Sequence, residues 1–219
     1  MKRTFIIFLL ITYLTLNCLS NEVIEKGKKY YFSGNFELAK LSFERAIKTT
    51  TNDELLLMLG NTYLATGDYK KAIETFKSGM ILSSKEWVFE FNLAYSHYVM
   101  RDFTNSLNYF LSVIDKSPKF SKSYWFGGMA SLRMINIPTT ITLWEKYLEI
   151  SPNGEESENI RKALALLKEY GTNAIPEIIA DTKKEILDIE SLIEPIGNGL
   201  EIKSEQKTLE DTSLEDIEK

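Results

Sequence analysis

The chain has 219 residues, 44% of them hydrophobic, with 26 Lys and Arg against 31 Asp and Glu for a net charge of −5. That is room for one ordinary domain with extensions, and an acidic balance argues against a nucleic-acid binder, which gathers a basic face. A single cysteine, Cys18, and a single histidine, His97, permit no intrachain disulfide and nearly exclude a zinc site or a nucleophile–histidine pair. The expectation is a chain with no metal, no cofactor and no catalytic residues.

Residues 1–20, "MKRTFIIFLLITYLTLNCLS", open on Lys2 and Arg3 and then run apolar from Phe5 to Leu16. A basic start and a short apolar run read as an export signal, and the run is too short for a bilayer, which takes about 20 apolar residues. Cys18 stands where a bacterial lipoprotein is cut and acylated. A typical lipobox has Leu three residues before the cysteine, whereas here the preceding residues are Thr15-Leu16-Asn17. Two readings follow: an envelope lipoprotein anchored through Cys18, facing the periplasm or the cell surface, or a soluble periplasmic protein cut after Ser20. The sole cysteine at the acylation position favours the first.

From residue 21 the chain repeats itself. Gly34-Asn35-Phe36, Gly67-Asp68-Tyr69, Arg101-Asp102-Phe103 and Ile135-Asn136-Ile137 recur at intervals of 33, 34 and 34 residues. Seven residues before each turn stands a small residue: Gly27, Gly60, Ala94 or Gly128. After each turn comes Ala39, Ala72, Ser106 or Thr140, and four residues further a large ring: Phe43, Phe76, Phe110 or Trp144. Pro118 and Pro152 close two of the units at the same phase. Small residues on a first helix let a second approach, and the ring on the second fills the space toward the next unit. One such pair cannot bury its own apolar face, so units must stack and be capped.

The pattern resembles the tetratricopeptide repeat family, a 34-residue helix–turn–helix with Leu-Gly, Tyr, Ala, Phe and Pro at set spacings. Leu59-Gly60 and Leu93-Ala94 keep the motif, while Lys26-Gly27 and Gly127-Gly128 lack its leucine, and the fourth turn uses Ile137-Pro138. The resemblance implies an all-α, TPR-type α-solenoid of four helix–turn–helix repeats plus a capping helix, spanning residues 21–170. The cap is "GEESENIRKALALLKEYG", with Ile160, Ala163, Leu164 and Leu167 on one face, charged residues on the other, and Gly171 to end it.

Residues 171–219 form an acidic tail. From Thr172 onward there are 5 Lys against 13 Asp and Glu, leaving the rest of the chain at +3. Ile178, Thr182, Ile186, Ile189 and Ile193, bracketed by Pro176 and Pro195, predict an amphipathic helix over 176–194. It either extends the cap or occupies the binding groove as a tethered segment. Beyond Pro195 the composition fits a disordered end.

Signals for chemistry are weak. His97 stands at the phase of Tyr30 and Tyr63 and reads as a packed ring. No phosphate-loop pattern follows Gly127-Gly128, so helix packing explains at least one of those glycines. Glu145 and Glu149 are four apart on one helix, a spacing that any solvated face supplies.

The first helices carry the stronger signal. In the family they line the concave side, and projection places there Ile24, Lys28 and Tyr31; Leu57, Asn61 and Leu64; Phe91, Tyr95 and Tyr98; and Trp125, Met129 and Leu132. Apolar and aromatic residues on a face that should see solvent mark a partner site. The alternative is that some of them pack inside the array or under the tail. The family's carboxylate clamp is only partly present, as Asn61, Asn92 and Lys122. The implied function is non-catalytic binding of a protein or peptide at the bacterial envelope, as a scaffold or assembly factor. An accessory subunit of an envelope enzyme or secretion complex is the second reading.

Overall fold

A computed structural model describes residues 21–174 and residue 176. The export segment with Cys18 and, past Pro176, the expected helix 176–194 lie outside the described residues. All regular structure among those described is helical. The expected array divides at Gly67–Asp68 into two compact units.

The first unit holds α1, helical over 21–32, α2 (Phe36–Ala46) and α3 (Asp53–Ala65). Gly27 on α1 admits the Phe43 ring of α2, for a Cβ there would stand 2.6 Å from the ring's Cε1. Lys28 on α1 reaches back to Glu25 at 3.0 Å and across to Glu54 at 2.5 Å, tying α1 to the start of α3. Asn52 caps α3, its side-chain oxygen accepting from Leu55 N at 2.7 Å. Tyr63 donates to Glu44 at 2.9 Å and fastens α3 to α2.

The second unit holds α4 (Tyr69–Leu82), α5 (Glu86–Val99), α6 (Phe103–Lys116), α7 (Ser121–Arg133), α8 (Ile137–Ile150) and α9 (Ser157–Tyr170). A 3₁₀ turn, Gly171–Ala174, closes it. Each helix packs on the next in sequence, as a stack of hairpins must when every pair leaves an apolar face for its successor. Phe76, Phe110 and Trp144 are buried, and the Trp144 indole takes the space that Gly128 leaves open. The Phe89 ring on α5 lies where any Cβ at Gly79 of α4 would go. The cap lies where its sequence places it: Ile160, Ala163, Leu164 and Leu167 are its buried residues.

The turns use one geometry with different residues. Gly34 and Gly67 have φ of +74° and +77°, the left-handed region that suits glycine. In the third and fourth pairs Arg101 and Ile135 adopt the same region at 62° and 60°. A β-branched residue there carries strain of about 1–3 kcal/mol. The bonds that close these turns hold it in place: Ile135 N donates to Leu132 O at 2.9 Å and Asn136 N to Ser131 O at 3.0 Å.

Candidate partner-binding face

On the first unit, Ile24 and Tyr31 of α1 and Asn61 of α3 are buried, while Leu57 is half-buried. Asn61 is the informative residue. Both atoms of its side-chain amide are shielded from solvent and have no hydrogen-bond partner among the described residues. Leaving such a group unmatched costs about 1–3 kcal/mol, so it needs an explanation.

On the second unit, α5 and α7 bring Phe91, Asn92, Tyr95, Tyr98, Trp125 and Met129 into one aromatic block, all buried. The expectation of a solvent-facing stripe fails for Phe91, whose exposure is 0%. Its ring meets those of Phe110 at 5.5 Å, Phe120 at 5.0 Å and Phe126 at 5.9 Å. The next hairpin supplies two of these partners, which a periodicity argument confined to one helix cannot show. Met129 is likewise core. Tyr95 packs edge-on to Phe126 at 5.4 Å, and burial, then the nearby Tyr98 and Tyr69, push its phenol well above the usual tyrosine range.

Three polar groups in this block have no internal match. Asn92 donates its amide to Val88 O at 2.8 Å, but its Oδ1 has no partner among the described residues. The Tyr98 hydroxyl and Arg133 Nε are also buried and unmatched there. Burial raises the Tyr98 pKa, and the neighbouring Arg133 guanidinium partly offsets that rise. The sequence reading missed Arg133. Its signal was a break in the repeat: the position five after each small residue holds Phe32, Ala65 and Val99 in the other units, and arginine here.

His97 is half-buried, stacks on Tyr109 at 5.6 Å and pairs through Nδ1 with Asp102 at 2.9 Å. Asp102 also accepts from the Asn105 side chain at 2.7 Å and from Asn105 N at 3.3 Å, capping α6. Those Asn105 bonds, together with His97, hold its carboxyl below the ordinary range. The histidine is thus engaged in closing a turn. Among the described residues no group of His, Cys, Asp and Glu is arranged to hold a metal, and no helix is long and apolar enough to cross a membrane.

A family model described as tetratricopeptide repeat matches residues 53–80. No curated protein matches the sequence. Among solved structures the chain is similar to YrrB, described as a TPR protein with an unusual peptide-binding site. That likeness has 18% identity and a TM-score of 0.60, over 65% of this chain and 74% of that one. It is similar to a MamA segment from Desulfovibrio magneticus RS-1 at 13% identity and a TM-score of 0.62, over 75% and 93% of the two chains. Another similarity is to the APC/C hetero-tetramer Cut9–Hcn1, at 18% identity and a TM-score of 0.59, covering 65% of this chain and 29% of that one. The chain thus carries a tetratricopeptide repeat, matched in sequence at residues 53–80, and has the all-α fold of TPR-type solenoids.

Proposed function

We infer that this protein is a non-catalytic scaffold that holds a protein or peptide segment on the first-helix faces of its repeats. One observation carries the reading: buried polar atoms of Asn61, Asn92, Tyr98 and Arg133 lack partners among the described residues. All four lie on first helices, and Asn92 and Tyr98 belong to the aromatic block of α5 and α7. A peptide backbone presents alternating donors and acceptors, the chemistry that side-chain amides and a phenol can satisfy. The peptide-binding site named for YrrB is in keeping with this.

Capture tests it. In cells treated with a crosslinker, the native chain is expected to retain a partner that Trp125→Ala and Leu57→Asp forms lose by roughly tenfold, the scale of one hot-spot residue. Circular dichroism checks that each variant folds. Leu57 is only half-buried, so its variant decides the matter if Trp125→Ala does not fold. Capture unchanged in a folded variant overturns the reading.

The place of action that fits the leader-like residues 1–20 is the bacterial envelope, as an assembly factor tethered through a lipid on Cys18. The alternative there is a soluble periplasmic form cut after Ser20. Growth in labelled palmitate should label the protein and spare a Cys18→Ala form, and absence of label from the native protein removes the anchor. The second functional reading is an accessory subunit of an envelope enzyme or secretion complex, and a single constant enzyme among the captured partners would favour it. The chain's acidic tail is proposed as an internal occupant of the same face, displaced when a partner binds.

A further inference from the structure

The outer side of α2 departs from the repeat. One residue before Ala39, Ala72, Ser106 and Thr140 stand Leu38, Lys71, Asn105 and Thr139, and two residues after them Leu41, Glu74, Asn108 and Thr142. Three units carry polar residues at both positions, and the first carries leucine at both. Leu38 is 45% exposed and Leu41 62%, so the array does not bury them.

The same side continues into positive charge. Residues 38, 41, 45 and 48 follow the three- and four-residue spacing of one helical face, and the last two are Arg45 and Lys48, both exposed. Lys48 keeps the phase because Ile47, which follows α2, still has helical backbone angles. Neither base makes an ion pair among the described residues, whereas Lys40 on the same helix is paired with Glu37 at 2.8 Å. Two exposed aliphatic side chains leading to two unpaired bases suit a helix lying in the plane of a lipid surface. The leucines enter the acyl boundary and the bases reach the phosphates.

The course of the chain favours that occupant. α1 and α2 form an antiparallel pair in which Gly27 faces Phe43, so Asn21 comes alongside the end of α2 that carries Arg45 and Lys48. Cys18 precedes Asn21 by three residues, which span at most about 10 Å. A lipid on Cys18 would hold that end of α2 at the headgroups. We propose that α2 docks through Leu38, Leu41, Arg45 and Lys48 on an anionic phospholipid surface. The proposal rests on the lipid-anchor reading and goes beyond it, naming the side of the first hairpin that meets the membrane. It uses none of the residues assigned to partner binding.

The test uses the full chain, grown with labelled palmitate and reconstituted in phosphatidylethanolamine–phosphatidylglycerol vesicles. The sequence holds no cysteine besides Cys18, which is acylated in the anchored form, so Leu38→Cys or Leu41→Cys alone takes a nitroxide label. Access of oxygen relative to a water-soluble nickel chelate should be several-fold higher at these two positions than in Glu74→Cys and Asn108→Cys forms. Adding Arg45→Gln and Lys48→Gln should lower the docked-to-undocked ratio by roughly thirtyfold, the effect of two bases at an anionic surface. Vesicles without phosphatidylglycerol should show the same loss. All six substituted residues are exposed, and circular dichroism checks that each form folds. Equal nickel access at all four labelled positions, in protein that carries palmitate, overturns the proposal and leaves the anchor standing. Shielding of Leu38 and Leu41 positions from both probes would mean that a protein or a second copy covers the stripe, and also overturns it. Absence of palmitate removes the anchor reading and this proposal with it.

Discussion

Replacing Phe91 with alanine is expected to lower the unfolding free energy by about 3–5 kcal/mol, the cost of a large cavity in a close-packed core. The ring is fully buried and meets three other rings contributed by α6, the α6–α7 link and α7. No single neighbour can move in to fill the space without abandoning its own contacts. Urea unfolding followed by circular dichroism measures the effect. A loss below about 1 kcal/mol, the scale of a surface substitution, would mean that Phe91 is not the core residue the structure makes it. The same reasoning removes Phe91 from any test of partner binding, because its alanine form would report folding.

The second large effect is a contrast between adjacent glycines. Gly128→Ala is expected to cost about 2–3 kcal/mol by overpacking, whereas Gly127→Ala should stay within about 1 kcal/mol of the native protein. A Cβ on Gly128 would overlap the Trp144 indole at Nε1 and Cδ1. That indole is locked between α7 and α8, donating to Trp125 O at 3.1 Å, so it cannot retreat without giving up a buried hydrogen bond. At Gly127 the nearest atom is the flexible end of Leu143, at 3.3 Å, and alanine is the better helix former. Thermal unfolding of the two single variants checks this, and equal losses would refute the assignment of Gly128 as the close-approach residue. The repeat phase singles out Gly128 as the small residue opposite the Trp144 ring, and leaves Gly127 without an assignment of its own. The placement of Trp144 agrees with that phase and adds the tightness of the contact.

The fold was legible for a physical reason. A repeat states its pattern four times, so the small residue, the turn and the ring stand out as a period even where one unit departs from it. Ile137-Pro138 opens α8 without glycine or aspartate, and the other three turns still define the phase. The capping helix was legible because its charged face contrasts with a single apolar stripe. The candidate site was legible only by position. Sequence phase placed Tyr95, Tyr98 and Trp125 on first helices, but exposure is set by the neighbouring hairpin, and periodicity along one helix has no access to that.

The sequence by itself determined the all-α class, the helix–turn–helix period, the position of the cap and the poverty of catalytic groups, since each depends on local spacing or residue supply. Tertiary structure alone decided that Phe91 and Met129 are core, and that the hydroxyl of Tyr98 and Nε of Arg133 are buried. Those outcomes depend on which side chains from separate helices share one volume, a quantity encoded at no single position of the chain.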